Sequence, residues 1–140
     1  MIMFHSVRIA ASRTVVFSYY QDIQSWPVWD KQCEAVFLPD GLRGGSQGWL
    51  KPSKGPKAKI RICDYQKNNA FVVESKLPFC TMHFGHRLEK AGNATIANHW
   101  VRFRGPSAFL FKLLIGRKIN AGLPDTMQAL KAICEAPAVT

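Results

Sequence analysis

Cys80-Thr-Met-His-Phe-Gly-His-Arg-Leu-Glu89 and Asn93-Ala-Thr-Ile-Ala-Asn-His-Trp-Val-Arg-Phe-Arg104 both alternate apolar with polar residues. That period of two marks strands buried on one face. Gly105-Pro106 ends the alternation, and from Ser107 to Glu135 apolar residues recur every three or four positions. The change of period predicts a hairpin feeding one long helix. The helix stripe is Phe109, Leu113, Leu123, Met127, Leu130 and Cys134, flanked by Leu110, Leu114, Ile119 and Ile133. Lys112, Lys118, Asp125 and Lys131 fall largely on the other side. Gly122-Leu123-Pro124 predicts a kink or brief break, since proline removes a donor and clashes with the preceding turn. Glycine beside proline is also where a lid could flex. A short curved sheet does not cover so long an apolar helix by flat contact. A ligand pocket beneath the helix is therefore the first functional expectation.

The hairpin can be registered from its side chains. Pairing Lys90 with Thr95 across Ala91-Gly92-Asn93-Ala94 sets His86 opposite His99, Leu88 opposite Ala97, Phe84 opposite Val101 and Met82 opposite Phe103. The reverse face then pairs His83 with Arg102, Gly85 with Trp100 and Arg87 with Asn98. A slip of one residue mixes apolar and charged groups on both faces, which the pleat penalises. Trp100 over Gly85 fits the same register, because an aromatic ring can cover a cross-strand glycine. One face thus carries Met82, Phe84, Leu88, Val101 and Phe103 around two adjacent histidines. Imidazoles on an apolar surface cost desolvation unless they bond each other, water or a ligand. The plain reading is that they satisfy one another or a backbone carbonyl. The functional reading is that they orient a polar head inside an apolar cavity.

Upstream, Phe4 to Ala10 reads as a first strand, and Ser12 as the cap of a helix through Val15, Val16, Tyr19 and Tyr20 to about Ile23. Ser25-Trp26-Pro27-Val28-Trp29-Asp30 predicts a second short helix, with a capping residue and an early proline. Strands follow at Cys33–Leu38, Gln47–Lys51, Lys57–Tyr65 and Phe71–Leu77, bounded by Pro39-Asp40-Gly41, Gly44-Gly45, Gly55-Pro56, Asn68-Asn69 and Pro78. Short turns between seven strands make an antiparallel sheet the economical arrangement. No repeat or linker divides residues 1–140, so a single domain is expected.

An apolar content of 47% with 20% charged residues fits a folded chain and excludes a disordered one. No apolar run reaches a membrane span. The start, Met1-Ile-Met-Phe-His5, lacks the basic and apolar regions of a secretion signal, so a cytoplasmic location is expected. Cys33, Cys63, Cys80 and Cys134 lie far apart with no CxxC pair, which reads as free buried thiols. Cys80, His83 and His86 have metal-like spacing, but on a strand His83 points away from the other two. Neither a metal nor a cofactor is expected. No serine is teamed with a histidine and an acid. Glu74 and Glu89 fall on the solvent face, whereas Asp64 has inward parity at a strand end and could reach a cavity rim. The net charge of +10 favours acidic partners without choosing among ligand, membrane and nucleic acid. Lys51, Lys54, Lys57, Lys59 and Arg61 form an acid-free run that could meet an anionic surface or nucleic acid. Lys57, Lys59 and Arg61 equally make an ordinary solvated strand face, with no aromatic platform among them.

The order and spacing of several features resemble one family, over nearly the whole chain. Trp26-Pro27-Val28-Trp29, Gly48, Gly55-Pro56, His86, Gly92-Asn-Ala-Thr95, His99, Gly105-Pro106, Leu123-Pro124 and Leu130-Lys131 are similar to the START-like, or polyketide cyclase and lipid-transport (SRPBCC), superfamily. Small bacterial members near the group associated with carbon monoxide dehydrogenase are the most alike. The resemblance implies an α+β helix-grip fold: a seven-stranded antiparallel sheet wrapped around a long C-terminal helix, with two short helices between strands 1 and 2. It also implies a cavity for a lipid, polyketide, quinone or aromatic ligand, and a carrier more readily than an enzyme. In that cavity His86 and His99 would be polar anchors. Phe71, Met82, Phe84, Val101, Phe103, Phe109, Leu113 and Met127 would form apolar walls. Two alternatives stay open. One is a cyclase, aromatase or dehydratase using His86 or His99 as general base; the other is an interaction protein whose basic surface contacts RNA, a ribosome or anionic lipid. Ligand identity and oligomeric state are not fixed by the sequence.

Overall fold

The alternating stretches of the last third become the two longest strands of the protein. The structure, a computed structural model, describes residues 2–136. It opens with β1 (Ile2–Ile9), α1 (Arg13–Gln21), a short 3-10 turn (Ile23–Ser25) and α2 (Trp26–Trp29). Six strands follow: β2 (Cys33–Phe37), β3 (Gln47–Pro52), β4 (Ala58–Gln66), β5 (Ala70–Leu77), β6 (Cys80–Ala91) and β7 (Ala94–Arg104). A C-terminal helical run closes the chain as α3 (Ala108–Phe111), a wide π-type turn (Lys112–Gly116) and α4 (Arg117–Glu135). The strands form one antiparallel sheet in the order β1-β7-β6-β5-β4-β3-β2. Strands β1 and β2, adjacent in sequence, lie at opposite edges, and α1 and α2 carry the chain between them. Among the described residues, no helix is long and apolar enough to cross a membrane.

Local chemistry explains these elements. Ser12 caps α1, its Oγ accepting from the Val15 amide at 3.2 Å. Val16, Phe17 and Tyr20 form the buried face of α1. Pro27 sits in the first turn of α2, where its missing N–H costs nothing, and Trp26 and Trp29 point inward. Trp26 Nε1 donates to the Tyr20 carbonyl at 2.9 Å, which locks α2 against α1. The β6–β7 register is the one deduced above, with His86 opposite His99 and Gly85 opposite Trp100. A Cβ added at Gly85 would collide with the Trp100 indole. Replacing Gly85 by valine should therefore cost about 1–3 kcal/mol through overpacking. Urea unfolding of G85V measures this, and a wild-type midpoint would show that Trp100 moves aside freely.

Helix α4 presses Leu123, Met127 and Leu130 into the main core. Its far end is tied to β1: the Ala10 amide donates to Glu135 Oε2 at 2.6 Å, and Lys131 Nζ to the Arg8 carbonyl at 2.9 Å. A second cluster, Cys80, Val101 and Phe103, packs with Met3, Met82, Phe111, Ile115 and Ile119.

Two expectations fail here. Helix α4 runs unbroken through Pro124. The carbonyl this proline leaves unpaired, four residues earlier, belongs to exposed Asn120, where solvent can satisfy it. Gly122 serves close approach instead of bending, because the Gln32 amide crosses it to donate to the Lys118 carbonyl at 3.1 Å. The irregularity lies upstream, at residues 112–116. One extra residue in a turn shifts the helical phase by about 100°. A regular helix would place Phe109 and Leu113 on the side of Leu123; the wide turn rotates them outward and brings Phe111 and Ile115 in. Asp64 also departs from its expected parity. The β4–β5 register shifts between Cys63 and Gln66, and Asp64 (φ 49°) is exposed at that bulge.

Candidate functional site

Adjacent strands place His5, His99, His86 and Phe71 in one row on the inner face, running β1, β7, β6, β5. The expected histidine pair is thus three imidazoles long. His5 escaped the sequence reading because Phe4, Val7 and Ile9 do not alternate. The usable signal was the parity of Val7 and Ile9, both buried, while Phe4 is exposed.

Tyr20 reaches across from α1, its hydroxyl 2.7 Å from His99 Nε2. Burial raises the Tyr20 pKa, so the hydroxyl stays protonated. Burial, and secondarily His5, holds His99 down to about 3. Burial and then His99 lower His86 well below the usual imidazole value, against an opposing hydrogen bond with the Phe71 backbone. Both rings are therefore neutral at pH 7. They meet edge to face at 4.6 Å, and His86 stacks on Phe71 at 4.2 Å. Nδ1 of each ring is buried without a partner. In either tautomer of His99, one donor of the Tyr20–His99 pair stays unused, since two N–H or O–H groups share one bond.

Beside this row lies a partly open hollow of about 160 Å³. Phe71, Met82, Phe84 and His86 line it, with Trp26 and Trp29 from α2, Ile60 and Val73 from the sheet, and Ile119 from α4. The remaining expected residues do not reach it. His99 is paired with Tyr20; Met127 is packed in the main core, and Val101 and Phe103 in the second cluster. Phe109 and Leu113 are 71% and 52% exposed, a consequence of the wide turn.

Polar wall residues were missed, among them Ser75, Asp30 and Cys33. Ser75 is buried, and its Oγ has no partner; its inward parity beside Phe71 and Val73 was the available signal. Asp30, a half-buried residue just after α2, also lines the hollow. Oδ1 accepts from the Gln32 amide at 3.1 Å and from Thr126 Oγ1 at 3.3 Å. Burial raises its pKa, and those two hydrogen bonds pull it partly back. Burial, helped by Asp30, pushes the Cys33 thiol up to about 12, so it is no nucleophile.

On the outer face, His83 Nε2 lies 3.2 Å from Glu74 Oε2, turned away from Cys80 and His86. Of the basic run, Lys51 pairs with Glu34 at 2.5 Å and Arg61 with Glu74 at 3.3 Å, while Lys54 and Lys59 are exposed. Lys57 Nζ sits 3.9 Å above the Trp49 ring, which stacks with Phe37 at 6.0 Å. An aromatic pair does interleave these cations, supplied by neighbouring strands and so invisible along one strand.

Solved structures of very low identity share this fold. A hypothetical protein of Helicobacter pylori superposes with a TM-score of 0.79 at 12% identity, over 96% of this chain and 88% of that one. A Mesorhizobium loti protein gives 0.77 at 10% identity, over 99% and 100%. StfQ, the di-domain ARO/CYC from the steffimycin biosynthetic pathway, gives 0.74 at 9% identity, over 96% of this chain and 51% of that one. No family model matches the chain, and no curated protein does. At such identities the likeness shows the fold: an open seven-stranded antiparallel sheet with a long C-terminal helix and short helices before the second strand.

Proposed function

We propose that the protein binds a small, largely apolar ligand carrying one neutral polar group, in the hollow beneath α2 and α4. The observation that carries this reading is that two residues lining this largely apolar hollow, Ser75 and His86, each hold a buried polar atom without a partner, Ser75 Oγ and His86 Nδ1. A native interior leaves few such atoms unpaired, and each costs about 1–3 kcal/mol until something bonds it. No cation lines the hollow and Asp30 does, which disfavours a carboxylate or phosphate head. Its volume, about 160 Å³, matches roughly five waters at ~30 Å³ each, or one six-membered ring. Longer lipids or polyketides would require the start of α4 to yield. At about 0.5 kcal/mol per heavy atom, a ten-atom ligand binds with about 5 kcal/mol, in the sub-millimolar range. The START-like reading draws support from the fold shared with an ARO/CYC protein. Four free cysteines fit a reducing cytoplasm.

Ligand-observed NMR with benzyl alcohol, phenol and cyclohexanone tests the reading at millimolar concentration. Binding should appear with the wild type and vanish in S75L, which fills the hollow and removes an orphaned hydroxyl, provided that its circular dichroism matches the wild type. Equal signals from both proteins, or none from either, refute it. Asp30 favours a second reading, acid–base chemistry on a bound carbonyl compound. The lowered pKa makes His86 a weak base, and His99 does not line the hollow, whereas Asp30, its pKa raised, does. Deuterium exchange alpha to the carbonyl of bound cyclohexanone, lost in D30N with binding retained, would distinguish enzyme from carrier.

A further inference from the structure

The wide turn leaves a strip of large apolar side chains facing solvent. Phe109 is 71% exposed, Leu114 58%, Leu113 52% and Leu110 46%. Their spacing, i, i+1, i+4 and i+5, makes one continuous strip along the helix. Phe79, 82% exposed, joins them from the β5–β6 turn. That turn is tied to the helix start: the Ser107 amide donates to the Phe79 carbonyl at 3.2 Å, and Ser107 Oγ to the Pro78 carbonyl at 2.6 Å. Single exposed apolar residues are ordinary, but five at one corner of a fold mark an interaction surface.

The corner also carries one sign of charge. Between Glu89 and Asp125 the chain has no Asp or Glu, and the same stretch holds Arg102, Arg104, Lys112, Arg117 and Lys118. Arg104, Arg117 and Lys118 are exposed, as is Lys76 beside the Phe79 turn.

We propose that this corner docks on an anionic lipid bilayer. Residues 108–118 lie in the interface, with Phe109, Leu110, Leu113 and Leu114 at the acyl boundary and the cations at the phosphates. Apolar side chains alone would also suit a second copy of this chain. A two-fold contact through this face, however, would set its cations against their own copies, whereas a negatively charged surface complements them. Single-stranded nucleic acid would call for aromatic stacking platforms, and three of the five apolar residues are leucines. Ile119, at the hollow's wall, directly follows the segment 108–118, so docking brings that wall close to the membrane.

Co-sedimentation with phosphatidylcholine vesicles, with and without phosphatidylglycerol, tests this on the full chain. The wild type should pellet only with the phosphatidylglycerol vesicles. F109S/L113S/L114S, altered only at exposed positions, should lose at least about tenfold in binding. R117E/K118E should lose binding too, and it answers the question even if the serine variant unfolds. A wild type that stays in the supernatant overturns the proposal. So does undiminished binding by both variants, or a solution dimer that the serine variant dissociates while vesicle binding is absent.

Discussion

Bringing the protein from pH 6.5 to about pH 4.5 should remove about 2 kcal/mol of stability through His99, with His86 adding to the loss, a large share of an ordinary domain's stability. His86 and His99 are buried and neutral, with pKa values lowered, for His99 to about 3. In the unfolded chain both take up a proton near pH 6.5, so below that pH the unfolded state binds more protons and stability falls with pH. Each ring contributes about 1.4 kcal/mol per pH unit until its folded pKa is reached. Glu74 and Glu135 do not act in this window. Burial raises Glu74, but His83 and Arg61 more than offset it; Glu135 is held low by the Ala10 amide and Lys131. Their contributions are lost only below the ordinary carboxylate range. Asp30, raised by burial, takes its proton first in the folded state and so opposes the slope. Urea midpoints across the window measure the effect, and Y20F/H99L should make the slope clearly shallower by removing the His99 part. A flat profile between pH 6.5 and 5 would mean the rings are not buried as neutral groups.

What the sequence disclosed was whatever a single element carries in its own period. The β6–β7 register followed because, with the strands closed across the Ala91–Ala94 loop, a slip of one residue would part His86, Phe84 and Met82 from His99, Val101 and Phe103. The caps at Ser12 and Pro27 were equally local. The phase of the C-terminal helix was not local. An extra residue in one turn leaves no mark in composition, and Phe109 and Leu113 look as buriable as Phe111 and Ile115 until the turn is seen. Asp30 is a site residue only because Thr126 and the Gln32 amide meet it there, an arrangement set by where α4 crosses α2. Tyr20 was legible as a helix residue but not as the partner of His99, 79 residues away. Trp49 between Lys57 and Lys59 belongs to the same class, a neighbour supplied by the next strand.

Replacing Tyr20 should produce the largest loss of stability from any single side chain around the histidine row. Its ring lies 5.3 Å from Phe71, 5.4 Å from His86 and 5.8 Å from each of Phe17, Trp29 and His99, so it holds α1 and α2 to the sheet. Y20A should cost about 3–5 kcal/mol, since truncating a buried aromatic opens a cavity beside an already hollow region. Y20F keeps the ring and isolates the hydroxyl. It should cost about 1–3 kcal/mol, because His99 Nε2 then loses its partner in a dry site. The pair separates packing from pairing. If the hydrogen bond carries the effect, H99L should suppress most of the Y20F penalty in a double-mutant cycle, leaving Y20A still severe. Chemical denaturation of the four proteins gives the coupling directly. A coupling near zero would show that the hydroxyl and the ring merely lie side by side, and that Tyr20 works by volume alone. Either way Tyr20 packs against His99 and against Trp29, Phe71 and His86, three residues of the hollow's wall. Y20A should therefore enlarge the hollow and admit ring-sized ligands that the wild type rejects, with His99 newly exposed to them.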